Sequence, residues 1–195
     1  MHNQVCPGIV VWHSSIKITK HGKKSLSQLI SDEYRKMQSK LHENPNYGIA
    51  STYFAPIVDD IIQQFKIKNL LDYGAGKLRL RDSIKSEVNY TAYEPSNPDY
   101  DATPEPCEFV TCIDVLEHIE PELLDNVLDD LKRVVVKYGL FTIHTGPAIK
   151  TLPDGRNAHL IQQPYTWWQP KIKERFEMVR EVAMDNGYIV FVKHK

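Results

Sequence analysis

Three acidic residues, Asp72, Glu94 and Asp114, each follow a short apolar run that predicts a buried strand. In an open α/β sheet the carboxyl ends of neighbouring parallel strands form one ligand crevice, so we expect the three carboxylates to meet there. Glu94 lies 22 residues beyond Asp72, close to the spacing at which a carboxylate accepts hydrogen bonds from ribose hydroxyls. The alternative interpretation is that each acid only caps the end of a strand or a helix.

Two glycines, Gly74 and Gly76, follow the first of these strands and permit the backbone to bend tightly and approach a ligand. A dinucleotide fingerprint has a third glycine where this chain has Arg79, and the Lys-Ser/Thr ending of a P-loop is missing. A nucleoside without a phosphate and with a charged amino-acid tail therefore fits this loop better than NAD. Asp72 is expected to hold the loop and to face the ammonium of that tail. A tight turn without a ligand is the alternative.

A long polar loop, residues 145–163, contains side chains suited to contact a second substrate. Histidine accepts protons near neutral pH, so His159 and His144 are the candidate catalytic bases. Arg156 is suited to hold an anionic group, and Asp154 lies beside it in the chain. In the alternative interpretation, His144 bonds to backbone at a strand end and His159 orders the loop.

The sequence spacing of histidine and cysteine gives no metal-binding pattern, so we expect no metal. His118 opens a predicted helix, and we expect it to pack beside the ligand rather than to act as a catalyst.

Composition is ordinary for a globular protein, and nothing in the total charge calls for nucleic acid as a partner. The 195 residues include 24 basic and 25 acidic side chains, which leaves no positive excess to neutralise phosphates. Cys6, Cys107 and Cys112 are odd in number and favour a reducing, cytoplasmic setting. The apolar run from Ile9 to Trp12 is too short for a signal peptide or a membrane span. The sequence does not fix the oligomeric state.

The elements that position these residues alternate between strands and helices, which predicts an α/β fold with a parallel sheet and helices on both faces. Helices are predicted over residues 25–41, 52–65, 80–85 and 167–176, with another opening at Pro121; Ser25 and Gln28 would form a capping box for the first of these. Strands are predicted near residue 70 and over residues 88–93, 109–113, 138–144, 178–184 and 188–192. The last two flank Asp185-Asn186-Gly187, which predicts an antiparallel hairpin.

We expect two parts in the chain. Residues 1–50 form an N-terminal extension with a lid helix, and residues 51–195 form the ligand-binding domain. Tyr47, beside the flexible Gly48, is suited to close over a bound ligand.

The segments Asp72-Tyr73-Gly74-Ala75-Gly76 and Cys112-Ile113-Asp114-Val115-Leu116-Glu117-His118-Ile119, with Glu94 between them, resemble class I S-adenosylmethionine-dependent methyltransferases. The resemblance covers residues 51–195 and is nearest to small stand-alone methyltransferases often carried by bacteriophages. It implies a Rossmann-like, mostly parallel sheet of seven strands, or of six, that ends in the antiparallel hairpin.

The resemblance also implies roles for individual residues. The loop would contact the methionyl part of S-adenosylmethionine, Glu94 the ribose hydroxyls, and Asp114 with its neighbours the methionyl or adenosyl group. The implied cofactor-binding residues are Asp72, Gly74, Gly76, Glu94, Asp114 and Val115. The implied acceptor contacts are Tyr47, Asp154 and Arg156, with His159 or His144 as the base. Many members have a third glycine where this chain has Leu78, so the loop is expected to lie further from the cofactor.

The implied activity is methyl transfer from S-adenosylmethionine to an oxygen or nitrogen acceptor on a small molecule, a nucleotide or a sugar. No Asp/Asn-Pro-Pro-Tyr/Phe segment and no Pro-Cys nucleophile follows the strand at 109–113, which argues against DNA-methylating enzymes. A non-catalytic S-adenosylmethionine-binding module and an S-adenosylmethionine-cleaving enzyme are the alternatives.

Overall fold

The computed structural model of the protein describes residues 28–44 and 48–195. The predicted leader over residues 1–24, the predicted helix start at Ser25 and the lid candidate Tyr47 lie outside these ranges. Over the two described ranges, every helix is too short or too polar to cross a membrane.

A mixed sheet lies at the centre of the domain, and in the described residues it has six strands in the order β2-β1-β3-β4-β6-β5. The strands are β1 (Asn69–Tyr73), β2 (Asn89–Tyr93), β3 (Cys107–Ile113), β4 (Val135–His144), β5 (Phe176–Met184) and β6 (Gly187–His194). The pairs β1–β2, β1–β3 and β3–β4 are parallel, whereas β6 is antiparallel to β4 and β5. The α/β class and the closing antiparallel hairpin are confirmed.

The expected seventh strand is not found in the described residues, and six is the number observed. The segment between β2 and β3 contains Pro95, Pro98, Pro104 and Pro106. Proline has no N–H to donate to a strand ladder, and this segment forms turns and irregular chain instead. Strand β2 is therefore left at the edge of the sheet.

Helices cover both faces of this sheet, as predicted. The helices are α1 (Asp32–His42), α2 (Ala50–Phe65), α3 (Arg79–Ser83), α4 (Leu124–Val134) and α5 (Tyr165–Arg175). Side chains alternate along β1, so Leu70 packs with α2 and α3 while Leu71 packs with α4 and α5. In α2, Ile61 and Ile62 are buried, whereas Ile57 is 40% exposed because the buried stripe lies on the opposite side of the helix.

Helix α1 begins later than predicted. Ser31, and not Ser25, is its N-cap: the Ser31 Oγ accepts a hydrogen bond from the Tyr34 amide at 3.1 Å, and residues 28–30 are not helical. The Ser31 Oγ and amide also donate to the Glu120 carboxylate at 2.6 and 2.8 Å. This distant partner fixes the start of α1, whereas the capping-box signal is local and points to Ser25 with Gln28.

Candidate functional site

The glycine loop follows β1 directly and turns its amides inward. Gly74 and Gly76 have φ angles of 83° and 51°, the left-handed region that favours glycine. The Gly74 and Ala75 amides donate to the Tyr93 carbonyl at 2.8 and 3.0 Å, and the Gly76 amide donates to Glu94 Oε2 at 3.1 Å. Since these three amides are used inside the protein, the loop is not arranged as a phosphate cradle.

Leu78 takes the backbone conformation that a third glycine would take. Its φ is 62°, its side chain is buried, and its amide donates to the Ala75 carbonyl at 2.8 Å. A left-handed non-glycine residue costs about 1 kcal/mol or more. The loop backbone is therefore glycine-like at this position, with strain offset by burial of the leucine.

Gly74 lies against Val115, and we expect Gly74→Ala to lower the free energy of unfolding by about 2–4 kcal/mol. A Cβ at Gly74 would lie 2.4 Å from Val115 Cγ2, so that one segment must move. Gly155→Ala is the matched control, because Gly155 has a similar φ of 89° but no described atom within 4 Å of an added Cβ. Urea unfolding measures both, and adding Val115→Ala should recover part of the first loss. Equal costs at the two glycines would contradict the close approach.

Glu94 is buried at the end of β2 and connects two loops. Its Oε2 accepts from the Gly76 amide, and its Oε1 accepts from the Ser96 amide at 3.0 Å and the Ser96 Oγ at 2.6 Å. A carboxylate offers about four acceptor positions, so these three donors leave one for a ligand hydroxyl. His42 Nε2 lies 4.0 Å from Oε2.

Asp72 does not hold the glycine loop, contrary to the prediction. It is buried within the sheet, where Oδ2 accepts from the Tyr90 hydroxyl at 2.5 Å and Oδ1 from the Thr111 hydroxyl at 2.8 Å. Both donors come from neighbouring strands, β2 and β3. Burial raises the pKa of Asp72 to about 6, against the lowering effect of these hydrogen bonds.

This raised pKa makes the stability of the domain depend on pH. An acid with a higher pKa when folded contributes stability below its ordinary pKa of 3.8 that is lost as the pH rises through about 6. The difference corresponds to roughly 3 kcal/mol, and asparagine recovers only part of it because its NH₂ group cannot accept a hydrogen bond from one of the two hydroxyl donors. We therefore expect Asp72→Asn to raise the free energy of unfolding by about 1–2 kcal/mol near pH 8 and to change it little near pH 4. Urea unfolding at both pH values tests this; a loss near pH 8 would contradict it.

Asp114 and Thr142 lie at the ends of β3 and β4. Asp114 has a φ of 50° and accepts a hydrogen bond from the Thr142 hydroxyl at 2.6 Å, and burial raises the pKa of its carboxyl. Both residues line a cavity of about 130 Å³ together with Phe54, Ile143, His144, Met184, Asn186, Gly187, Tyr188 and Ile189. This cavity is mostly apolar, with Asp114 as its carboxylate and His144 as its imidazole.

Three histidines lie beside one another behind this cavity. The ring of His159 lies 4.7 Å from that of His118 and 4.9 Å from that of His144. Nδ1 of His159 lies 2.7 Å from the Gly146 carbonyl, and Nδ1 of His118 lies 2.8 Å from the Ala158 carbonyl. Burial lowers the pKa of His159 and lowers that of His118 to about 3, which favours the neutral form of both rings. His159 therefore does order its loop, and His144 lines the cavity.

Glu117 is a functional candidate that the sequence interpretation missed. It is fully buried, and its Oε1 accepts from the His144 amide at 2.9 Å. Its Oε2 has no hydrogen-bond partner among the described residues. Burial, and then the charge of Asp114, raises the pKa of Glu117 well above its usual range. Its position in the Val-Leu-Glu-His segment is a sequence signal for a functional role, but its burial and its hydrogen bonds depend on the tertiary fold.

The predicted acceptor contacts Asp154 and Arg156 lie at the exposed tip of the polar loop. Arg156 Nε donates to Asp154 Oδ2 at 2.7 Å, and the Arg156 amide donates to Oδ1 at 3.0 Å. The two side chains therefore neutralise each other, and neither lines the cavity at Asp114 and His144. Tyr47 is outside the described residues.

Helix α1 crosses the ends of β1, β2 and β3. Its Tyr34 hydroxyl donates to the His118 carbonyl at 2.5 Å, and its Arg35 donates to the Pro95 carbonyl. At its other end His42 lies against Gly76, where an added Cβ would be 3.2 Å from the imidazole Cε1. The helix therefore contacts each of the three loops that follow these strands.

No protein-family model and no curated protein matches this chain. The fold is similar to that of 1,6-didemethyltoxoflavin-N1-methyltransferase from Burkholderia thailandensis, solved with 1,6-didemethyltoxoflavin and S-adenosylhomocysteine. The TM-score is 0.61 and the sequence identity is 14%, and the match covers 87% of this chain and 92% of that one. It is also similar to the N-methyltransferase NodS from Bradyrhizobium japonicum, solved with S-adenosylhomocysteine (TM-score 0.54, 10% identity, 84% and 99% covered). A methyltransferase from Aquifex aeolicus gives a TM-score of 0.51 at 15% identity, with 83% and 98% covered.

At these identities the likeness shows the fold. The chain has the Rossmann-like fold of these methyltransferases, and it spans most of the length of each of them.

Proposed function

We propose that this chain is an S-adenosylmethionine-dependent methyltransferase that acts on an oxygen or nitrogen atom of a small molecule, nucleotide or sugar. The observation that carries the proposal is the glycine loop joined to Glu94 at the carboxyl ends of β1 and β2, beside Asp114 at the end of β3. Two proteins of the same fold bind S-adenosylhomocysteine, the product of this cofactor. The finer resemblance to bacteriophage-borne methyltransferases remains a prediction.

The residues at this edge fit the cofactor. Gly74 and Gly76 let Val115 and His42 pack against the loop backbone, and the inward amides leave the loop without a phosphate site. Glu94 retains one acceptor position for a ribose hydroxyl. Asp114 and Val115 are proposed to flank the cofactor, whereas Asp72 acts only through the sheet that carries the loop. When bound, the cofactor supplies an electrophilic methyl group.

Helix α1 is proposed to be the lid of this site, and the division between an extension over residues 1–50 and a domain over residues 51–195 is proposed with it. Its support is the set of contacts from α1 to the loops after β1, β2 and β3. S-adenosylhomocysteine should slow proteolytic cleavage between residues 42 and 50. Unchanged cleavage at saturating ligand would argue against a lid.

The acceptor is proposed to enter the cavity at Asp114 and His144. A cavity of about 130 Å³ with mostly apolar walls suits one ring or a short chain, so the acceptor is expected to be small or to insert only its reacting end. Methyl transfer is an in-line displacement, and positioning supplies much of its rate. His144 is proposed to take the acceptor proton, with Asp154, Arg156 and Tyr47 contacting the part of the acceptor outside the cavity.

Calorimetric titration with S-adenosylmethionine and S-adenosylhomocysteine tests the proposal first. We expect binding of both and none of NAD; a folded sample that binds neither would rule the proposal out. Transfer of a labelled methyl group across a panel of small acceptors is the second test. Labelled product excludes a non-catalytic binding module, and product without an acceptor would instead identify a cleaving enzyme.

A further inference from the structure

Glu117, His118 and His159 form a cluster that the proposed methyl transfer does not use. The three residues each offer one potential ligand atom, and these atoms all lie within 4.8 Å of one another. His159 is 41 residues from His118, so that sequence spacing could not show the cluster. Ligand atoms on one ion are separated by roughly 3–4 Å, which small side-chain rotations would reach.

The Glu117 carboxylate is the strongest sign that the cluster lacks a component. Its Oε2 is fully buried and has no hydrogen-bond partner among the described residues. An unsatisfied buried carboxylate oxygen is costly, and buried charges are normally paired or bound to a metal.

The two histidines are held as metal-binding histidines usually are. Carbonyl oxygens only accept hydrogen bonds, so the Nδ1 atoms that contact Ala158 and Gly146 must carry the ring protons. The Nε2 atoms then carry the lone pairs. A backbone carbonyl on the other ring nitrogen is the usual device that fixes the tautomer and orientation of a histidine ligand.

We propose that Glu117, His118 and His159 bind a divalent transition-metal ion. Two imidazole nitrogens and one carboxylate suit Mn²⁺, Fe²⁺, Co²⁺ or Zn²⁺, whereas Mg²⁺ and Ca²⁺ prefer oxygen ligands. The proposal departs from the expectation of no metal, which rested on sequence spacing alone. Asp114 adds negative charge beside the cluster, which favours a cation further.

Three protein ligands leave at least one coordination position open. Glu117 bonds to the amide of His144, and His144 lines the proposed acceptor cavity. The ion would therefore lie next to that cavity, where it is suited to bind an acceptor oxygen or nitrogen. Only this role rests on the proposed methyl transfer; ion binding does not.

The test is thermal unfolding and calorimetric titration of untagged full-length protein with Mn²⁺, Co²⁺, Zn²⁺ and Mg²⁺ after chelator treatment. At about 100 times its dissociation constant, a transition-metal ion should raise the melting temperature by roughly 5–10 °C. Glu117→Gln keeps an oxygen for the His144 amide but removes the carboxylate, so it should fold without metal and lose most of the shift. His159→Asn should lose it too, and the control His194→Asn, on the exposed end of β6, should retain it.

Histidines outside the described residues are a second possible source of binding. A variant with His2, His13 and His21 all changed to Asn should keep the shift and one bound Co²⁺. Loss of the melting-temperature shift in this variant would overturn the proposal. Equal shifts in the wild type and His159→Asn would also overturn it, and so would a larger shift with Mg²⁺ than with the other three ions. If Glu117→Gln does not fold, Co²⁺ absorption spectra replace that test. Bands of bound Co²⁺ should be present in the wild type and absent in His159→Asn. S-adenosylhomocysteine affinity, measured without metal, tests the methyltransferase proposal separately.

Discussion

Replacing Glu94 by glutamine should lower the affinity for S-adenosylhomocysteine about a hundredfold, or roughly 2.7 kcal/mol. The two Glu94 oxygens accept from the Gly76 amide, the Ser96 amide and the Ser96 hydroxyl. A glutamine side chain replaces one oxygen with an NH₂ group, which must face a donor on one side or the other. The glycine loop or the Ser96 turn then loses its partner, and the acceptor position proposed for the ribose is lost as well. Calorimetric titration measures the change.

The matched control for Glu94 is Asp59→Asn. Asp59 is also a buried carboxylate that accepts from two backbone amides, those of Lys85 and Ser86, at 2.9–3.0 Å. It holds the end of α3 and does not contact the glycine loop. Each variant should lower the free energy of unfolding by about 1–3 kcal/mol, because an amide donor is left unsatisfied. Only the Glu94 variant should change ligand affinity; equal losses of affinity in both would show a general loss of structure instead.

The parts of the site that were predictable from sequence are those with local causes. Gly74 and Gly76 follow an apolar run, and a tight turn at the end of a buried strand needs little more than that. Glu94 follows the next strand at a spacing set by the length of one strand, turn and helix. These residues therefore meet in the structure through the Gly76 amide and Glu94 Oε2.

The errors have long-range causes. The role assigned to Asp72 was wrong because its partners, Tyr90 and Thr111, come from two other strands whose register the sequence does not give. The start of α1 was wrong because Glu120, 89 residues away, selects Ser31. In both cases a side chain is satisfied by a group that only the tertiary fold brings near.

The cluster of Glu117, His118 and His159 could not be predicted from the sequence for the same reason. Sequence spacing treats His118 and His159 as separate, whereas the polar loop folds back so that the Ala158 carbonyl meets His118 and the Ile161 amide meets the Glu117 carbonyl at 3.0 Å. The loop thus returns to the segment after β3. The absence of a metal-binding spacing in the sequence excludes only sites built from contiguous motifs. It does not exclude a site that forms when a distant loop folds back against another segment.

Replacing His144 by asparagine should lower kcat for the acceptor found in the panel by about 10²-fold or more, while S-adenosylhomocysteine affinity stays unchanged. His144 ends β4, its amide is fixed by Glu117 at 2.9 Å, and its ring lines the cavity that also contains Asp114. Asparagine retains hydrogen bonding to Gly146 but cannot take up a proton. Steady-state kinetics across a range of pH measure this loss of kcat. The control His194→Asn should keep the wild-type kcat, which separates the effect of His144 from a general loss of activity.

The pH profile decides what His144 does. A catalytic base must be unprotonated to act, so the wild-type rate should rise with pH to a plateau, and this rise should be absent in His144→Asn. His144 Nδ1 lies 3.2 Å from both the amide and the carbonyl of Gly146, so it can shift between tautomers without losing a partner there. That property suits a group that gains a proton during each turnover. A variant with kcat within about threefold of wild type would instead mean that the acceptor attacks through a lone pair that is already free, and that His144 only shapes the cavity.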